Sequence, residues 1–266
     1  MVRNRICHAG SALLILVGLL AAMVALAGPA SASGQYVALG DSYASGVGTR
    51  SYYSDSGSCY RSPYAYAVTD AARIGAALTF SACSGATTSS VQSGQLGGLN
   101  SGTNWVTIQV GGNDAGFSSV ITTCAEPSWL GNCSSAVSGA QNIIRNTLPG
   151  RLDTLYNNIR SRAPSAAVVV VGYPRLFNGE DCNAATFFSP SDESLLNQTA
   201  DLMDSTLAGR AAAHGFAFVN PESAFVGHAV CDSVEWVNGL SSPVMESYHP
   251  NRSGQAAYAN LVDDDL

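Results

Sequence analysis

The chain has 266 residues, of which 12% are charged, and its formal net charge of −7 is reached without any lysine. A weakly charged, acidic chain with no basic run does not fit nucleic-acid binding or electrostatic docking on anionic membranes. Transient contact with a lipid interface through apolar loops is still compatible with this composition.

The first 32 residues are expected to form a secretory signal peptide. Arg3 and Arg5 precede an apolar run over 9–27, and Ala30-Ser31-Ala32 fits the small-x-small cleavage pattern. The run is also near the length that spans a bilayer, so a membrane anchor is the alternative, although the cleavage pattern directly after it favours removal. Without the leader the formal charge goes from −7 to −9, and residues 33–266 fit one domain. We expect a secreted, extracellular monomer.

Apolar runs of strand length alternate with helical spacing along the rest of the chain. Strands are predicted over 36–39, 78–82, 105–110, 166–171 and 216–219. Helices are predicted over 64–73, 137–162 with a bend at Pro149, 191–214 and 251–262, and the Gly/Ser-rich stretch 84–102 is predicted to be a loop. This alternation indicates an α/β fold, in which a parallel sheet lies between helices.

Six cysteines follow the leader, and an even number in an exported chain favours disulfide bonds. No Cys-x-x-Cys or Cys/His cluster indicates zinc. The two cysteines that flank the shortest loop are expected to pair, and proximity then suggests the other two pairs: Cys124 with Cys133, Cys59 with Cys83, and Cys182 with Cys231.

Four short segments follow predicted strands or precede the last helix, and so can meet at one rim of the sheet. They are Gly40-Asp-Ser42, Cys83-Ser-Gly85, Gly111-Gly-Asn113-Asp and Ser247-Tyr-His249-Pro. Each alone has an ordinary structural interpretation as a turn, a helix cap or a buried histidine.

Together these segments contain the groups that acyl transfer needs. Ser42 can act as the nucleophile and His249 as its base, while His214 lies at a predicted helix end and His228 has no motif around it. The oxyanion of a tetrahedral intermediate can be held by the Ser42 and Gly85 N–H groups and the Asn113 amide.

In this order and spacing, the four segments resemble the four blocks of the SGNH (GDSL) hydrolase family, over nearly all of the mature chain. The leader, the six cysteines and the Gly-Asp-Ser-Tyr variant are most similar to the secreted streptomycete lipases and phospholipases A1. The resemblance implies a three-layer, flavodoxin-like α/β/α sandwich with a five-stranded parallel sheet. It also implies the roles named above for Ser42, His249, Gly85 and Asn113.

The sequence departs from the family pattern at the third triad member, an aspartate three residues before the histidine, where this chain has Glu246. In the branch it resembles, a main-chain carbonyl can replace the acid, and here Ser247 would supply it. A carbonyl only accepts hydrogen bonds, so it fixes the histidine tautomer as a carboxylate would. We favour the Ser247 carbonyl, with Glu246 as an exposed neighbouring charge and as the alternative acid.

A lipid ester is the expected substrate, because two predicted loops are unusually apolar. These contain Trp129-Leu130 and, around Cys182, Leu176-Phe177 and Phe187-Phe188. They would form an acyl-chain groove or, alternatively, pack beneath the loops as a satellite core. The resemblance implies the same class of substrate, most of all a phospholipase A1 that releases the sn-1 acyl chain and has general lipase and esterase activity.

A carbohydrate acetyl esterase of the same fold is the alternative activity, with Tyr52, Tyr53 and Tyr60 edging a shallow cleft. A non-catalytic binding protein is disfavoured because every catalytic block is present. No cofactor or metal is implied, and the acidic end 263–265 lacks the spaced loop of a calcium site.

Overall fold

The computed structural model describes residues 34–266, so the predicted leader lies outside the described residues. Five strands form one parallel sheet in the order β2-β1-β3-β4-β5. Their bounds are β1 Gln35–Gly40, β2 Ala77–Phe80, β3 Thr103–Gln109, β4 Ala167–Val171 and β5 Ala217–Val219. The predicted five-stranded parallel sheet is confirmed.

Eight α-helices accompany the sheet within this part of the chain. They are α1 Ser42–Ser45, α2 Tyr66–Arg73, α3 Thr88–Gly94, α4 Phe117–Ala125, α5 Cys133–Asn146, α6 Leu148–Arg162, α7 Pro190–Ala213 and α8 Arg252–Val262. Within residues 34–266, no helix is both long enough and apolar enough to cross a membrane.

The strand order places the helices on two faces of the sheet. The β1-to-β2 connection runs one way along the sheet and every later connection runs the other way, so right-handed crossovers put α2 on one face and α3 to α7 on the other. Helix α8 packs against α2, and α5 and α6 pack against α7. The middle strands are buried between the layers, as Val168–Val171 illustrates.

Two predicted elements differ from the structure. The stretch 84–102 contains α3, because Thr87 and Ser90 form a capping box that starts a helix in a Gly/Ser-rich segment. The predicted single helix over 137–162 is two helices, α5 and α6, which are separated at Thr147. Pro149 lies in the first turn of α6, where its missing N–H costs no helical hydrogen bond.

The three expected disulfide pairs are present in the structure: Cys59–Cys83, Cys124–Cys133 and Cys182–Cys231. The first pair joins the loop after α1 to the segment that follows β2. Cys83 in that segment lies two positions before Gly85. The second pair joins the end of α4 to the start of α5, and the third joins the loops that follow β4 and β5.

Candidate active site

Ser42 lies at the carboxyl end of β1, where the direction of the crossovers changes and open α/β sheets bind their ligands. It is the first residue of the one-turn helix α1, whose cap is Asp41: one carboxylate oxygen accepts from the Tyr43 N–H at 3.0 Å. The Ser42 side chain is almost buried.

His249 lies in contact with Ser42 although 207 residues separate them in the chain. Its Nε2 is 2.7 Å from Ser42 Oγ, and its Nδ1 is 2.8 Å from the Ser247 carbonyl oxygen. Because the carbonyl can only accept, the proton of the neutral imidazole is on Nδ1. The Nε2 lone pair is then free to accept the Ser42 hydroxyl proton.

The turn that presents His249 is held on both sides. Tyr248 has a left-handed backbone with φ of 58°, and its carbonyl accepts from the Tyr43 hydroxyl at 2.7 Å. Asn238 donates its N–H to the His249 carbonyl at 2.9 Å. At Gly48, φ is 101° and an added Cβ would lie 2.5 Å from the Pro250 oxygen, so the loop after α1 approaches this turn as closely as only glycine permits.

The environment of His249 disfavours a charge on its ring. Burial lowers its pKa to about 4, against a smaller opposing effect of the hydrogen bond to Ser247. The rings of Tyr43 and Phe117 supply part of this apolar surrounding, with centroids 5.1 Å and 6.1 Å from the imidazole. At neutral pH the imidazole is uncharged and available as a base.

Asp41 is buried beside Ser42. Its second carboxylate oxygen accepts from the Tyr173 hydroxyl at 2.6 Å. Burial raises its pKa to about 7, and the hydrogen bonds from Tyr173 and Tyr43 limit the rise. The position of Asp41 before a short helix could have predicted its capping role, whereas its contact with Tyr173, 132 residues away, left no signal in the sequence.

Gly85 and Asn113 follow β2 and β3 at the same rim as Ser42. Within the described residues the N–H groups of Ser42 and Gly85 have no hydrogen-bond partner, and one Asn113 amide hydrogen bonds the Ala86 carbonyl at 3.0 Å. Gly85 has φ of 78°, a conformation that other residues rarely adopt. The two N–H groups and the second Asn113 amide hydrogen are therefore available as donors at the sheet edge, as an oxyanion hole needs.

Asp114, next to Asn113, holds the two donor loops together. Its buried carboxylate accepts from the Thr88 N–H at 2.8 Å and the Thr88 hydroxyl at 2.6 Å, at the start of α3. Arg151 Nη1 lies 3.0 Å from the same carboxylate. Sequence reasoning missed this link, because Asn-Asp after a strand is equally typical of a plain turn.

Glu246 is buried, with 2% of its surface exposed, so the expectation of an exposed charge is wrong. One carboxylate oxygen accepts from the Tyr52 hydroxyl at 2.6 Å and the other lies 3.6 Å from Arg50 Nε. It makes no hydrogen bond to His249 within residues 34–266. Glu246 is buried because the loop after α1 packs over it, and its contacts with Tyr52 and Arg50 join that loop to the histidine turn.

An apolar cavity opens at Ser42 and extends between α4, α5 and α7. Most of its walls are aliphatic or aromatic side chains of these helices: Phe117, Val120, Ile121, Ala140, Ile144, Leu196, Ala200 and Met203. Asn113 and Tyr173 stand at its polar end. The arrangement suits a carbonyl at Ser42 with an apolar chain extending inward.

This cavity corrects the expected acyl groove, because only Leu176 of the predicted loop residues lines it. Phe177 and Phe188 are buried and their ring centroids are 4.8 Å apart, which matches the satellite-core alternative. Trp129, Leu130 and Phe187 are instead exposed, by 79%, 62% and 57%. Cavity residues such as Ile144 and Leu196 lie in predicted helices, whereas the helix that carries Phe117, Val120 and Ile121 was not predicted.

The remaining candidates lie elsewhere. Neither Tyr52, Tyr53 nor Tyr60 lines the cavity at Ser42, and Tyr52 packs edge-on against Tyr60. His214 Nε2 is 3.0 Å from Asp153, and His228 stacks on Trp236 at a centroid distance of 3.7 Å. Within the described residues, no cluster of three or more His, Cys, Asp or Glu side chains could hold a metal ion.

Residues 38–257 match the model of the GDSL-like Lipase/Acylhydrolase family. The chain belongs to this family. It is 44% identical over 260 residues to Lipase 1 of Streptomyces coelicolor, covering 91% of this chain and 94% of that protein. These matches make the chain a carboxylic ester hydrolase of the lipase type.

Two crystal structures of the family are similar along their whole length. One is an extracellular lipase from Streptomyces rimosus, 43% identical, with a TM-score of 0.82 over 88% of this chain and 100% of that one. The other is a phospholipase A1 from Streptomyces albidoflavus, 43% identical, with a TM-score of 0.82 over 88% of this chain and 99% of that one. Their agreement with the model confirms the SGNH-hydrolase fold of this lipase/acylhydrolase.

Proposed function

We propose that this hydrolase is a phospholipase A1 that releases the sn-1 acyl chain and also cleaves other lipid esters. The apolar cavity at Ser42 carries the proposal, because a long acyl chain buries apolar surface there and an acetyl group would leave most of it empty. The similarity to a phospholipase A1 of the same fold supports it.

Ser42, His249 and the Ser247 carbonyl form the proposed catalytic triad. Ser42 Oγ attacks the ester carbonyl carbon while His249 Nε2 takes its proton, across the 2.7 Å contact. The Ser247 carbonyl holds the Nδ1–H and so keeps the ring in the productive tautomer.

The oxygen of the tetrahedral intermediate is held by the Ser42 N–H, the Gly85 N–H and the Asn113 amide. The alcohol leaves with the proton from His249 as the acyl-enzyme forms. Water, deprotonated by the same imidazole, then attacks the acyl-enzyme and releases the fatty acid and Ser42.

Export and transient contact with lipid surfaces complete the proposal. The predicted signal peptide over 1–32 and the single domain over 33–266 fit a secreted enzyme, and a relative of the same family is described as extracellular. The exposed Trp129, Leu130 and Phe187 lie beyond the end of α4, which lines the cavity, and Phe187 N–H bonds the Ala125 carbonyl at 3.1 Å. Such side chains favour a water–lipid boundary.

The experiment is hydrolysis of a phosphatidylcholine with different sn-1 and sn-2 chains by the mature protein, with the released acids identified by chromatography. We expect mainly the sn-1 acid, and a loss of turnover of 10³-fold or more in Ser42→Ala, on the order seen when a serine nucleophile is removed. Ser93→Ala, at an exposed serine of α3, is the matched control.

Three results would contradict parts of this proposal. Mainly sn-2 release would refute the regiochemistry, and cleavage of acetylated sugars without cleavage of lipids would favour the carbohydrate esterase. Full activity in Ser42→Ala would refute the assigned nucleophile.

A further inference from the structure

A second cavity adjoins the candidate oxyanion hole at Gly85. It is lined by residues of the 59–61 loop, the end of β2, the 81–86 segment and α3, and Gly85 and Ala86 are among them. Ser42 and Asn113 line the apolar cavity, and the Asn113 amide donates to the Ala86 carbonyl at 3.0 Å. The residues assigned to the oxyanion hole therefore line two cavities of different character, Ser42 and Asn113 the apolar one and Gly85 the other.

Arg61, which lines this second cavity, has an unusual environment. Of the twelve arginines in the chain, ten lie in the described residues, and Arg61 alone among those ten has a guanidinium without a hydrogen bond, ion pair or ring contact. It is half-buried, and among residues 34–266 no acidic side chain lines the cavity. A partly desolvated cation without an anion costs free energy, which a bound anion would offset.

Two hydroxyl groups accompany the guanidinium. Ser81 and Ser84 line the same cavity, and neither hydroxyl has a hydrogen-bond partner in residues 34–266. The Cys59–Cys83 disulfide and the bond from the Ser84 N–H to the Cys59 carbonyl, 3.1 Å long, fix the 59–61 loop against this segment. The cavity thus combines the Arg61 cation with two free hydroxyl donors, on backbone that the disulfide holds in place.

We propose that this cavity binds the phosphodiester of a glycerophospholipid headgroup through Arg61, with Ser81 and Ser84 as further donors. The inference rests on the proposed phospholipase activity and deepens it. The two arms of an ester leave its carbonyl in opposite directions, so an acyl chain in the apolar cavity directs the alcohol towards the other one. In a glycerophospholipid that alcohol carries an anionic phosphate, which a guanidinium binds through paired hydrogen bonds. A neutral glyceride offers no such group.

The test compares Arg61→Gln with the unaltered enzyme on two substrates with the same acyl chains, a phosphatidylcholine and a diacylglycerol, in mixed micelles of one nonionic detergent. We expect kcat/KM on the phospholipid to fall about 10-fold or more, as for loss of a charge-assisted hydrogen bond, and kcat/KM on the diacylglycerol to stay within twofold. Arg61→Lys should lose less than Arg61→Gln. Arg145→Gln, at an exposed arginine of α5 with only Gln141 as its partner among residues 34–266, is the control and should leave the ratio unchanged.

Inhibition by soluble sn-glycero-3-phosphocholine gives a second readout. We expect competitive inhibition that weakens by a similar factor in Arg61→Gln. Equal inhibition by inorganic phosphate at the same concentration would assign the cavity to free phosphate and overturn the headgroup proposal.

The outcomes separate this inference from the function on which it rests. An unaltered enzyme that cleaves diacylglycerol but not phospholipid would refute the proposed phospholipase itself. Activity on both substrates, with equal losses or with no loss in Arg61→Gln, would refute only the Arg61 site.

Discussion

At the scale of single residues, the site shows how a serine and a histidine are prepared without a carboxylate. The Ser247 carbonyl fixes the Nδ1–H of His249 but adds no full charge to stabilise the imidazolium. Burial against Tyr43 and Phe117 further disfavours the charged ring. His249, the proposed base, is therefore neutral over a wide range of pH.

This environment predicts the pH dependence of kcat/KM on a soluble short-chain ester. In the proposed mechanism His249 must be unprotonated, and burial lowers its pKa to about 4, so the acidic limb should lie well below the ordinary histidine value of about 6.5. Rates at constant ionic strength, with the product acid measured by chromatography, would locate the limb. A limb near pH 7 that disappears in Asp41→Asn would instead implicate Asp41, whose pKa burial raises to about 7.

Glu246→Gln tests whether the buried carboxylate takes part in catalysis. We expect turnover within about threefold of the unaltered enzyme, because the glutamine oxygen can still accept from Tyr52 and only the ion pair to the exposed Arg50 is lost. The measurement is kcat of the variant and of the unaltered enzyme. Glu235→Gln is the comparison, because the Glu235 carboxylate accepts a hydrogen bond from the Cys231 N–H and not from a residue of the proposed triad. A loss of 100-fold or more would make Glu246 the triad acid.

At the scale of elements, Ser42, Gly85 and Asn113 follow the ends of β1, β2 and β3, whereas His249 lies in the turn before α8. Contacts between residues distant in sequence hold these segments together. Asp114 couples the Asn113 loop to the first turn of α3, which follows the Gly85 loop. Gln95, after α3, bonds both the N–H and the carbonyl of Gly40 at 2.8 Å, just before Ser42. The helix in the Gly/Ser-rich stretch therefore braces two sides of the site.

The helices around the apolar cavity should set the preferred acyl length. Ala200 on α7 lines the cavity and is only partly buried, so Ala200→Phe should shorten the space without displacing the core. We expect kcat/KM on esters of long fatty acids to fall about 10-fold or more, while short esters change little. A series of esters with increasing acyl length measures this, and Ala212→Phe, at an exposed alanine of the same helix, is the control.

An equal loss for all acyl lengths in Ala200→Phe would show that the substitution disturbs the site itself. An unchanged length preference would show that the chain binds elsewhere, with the exposed Trp129 and Phe187 as the next candidates.

At the scale of the whole molecule, buried carboxyl groups outside the triad should shape stability against pH. Asp70 on α2 is fully buried, and neither carboxylate oxygen has a hydrogen-bond partner in the described residues. Burial raises its pKa to about 8, with Arg73 opposing the shift. The native protein therefore keeps this proton at neutral pH, whereas the unfolded chain releases it near pH 4.

The sign of this linkage is fixed by which state binds more protons. Between about pH 4 and pH 8 the native state binds more protons than the unfolded chain. The Asp70 contribution to stability is therefore fully present below pH 4 and is lost as pH rises through 8. Asp70→Asn should reduce the fall in the free energy of unfolding between pH 5 and pH 9 by about 2 kcal/mol or more. Guanidinium titrations at pH 5 and pH 9 measure the free energy of unfolding, and Asp264→Asn, at an exposed aspartate, is the control. Parallel pH curves for Asp70→Asn and the unaltered protein would contradict the assignment.

The sequence by itself determined the class of fold and the positions of the strands and of most helices along the chain. Apolar runs such as Val168–Val171 are buried wherever they occur in a parallel sheet, so their periodicity was sufficient. The four short blocks likewise pointed to Ser42, Gly85, Asn113 and His249 before any geometry was known, because strand ends of a parallel sheet share one rim.

Only the tertiary structure decided what those groups contact. The burial of Glu246, the bond from Tyr173 to Asp41 and, within residues 34–266, the lack of a partner for the Arg61 guanidinium each depend on loops that meet from distant parts of the chain. Periodicity reports which face of an element is buried, and not which element covers it. For the same reason the cavity walls on α4, α5 and α7 could not be told from core packing until the three helices were placed around Ser42.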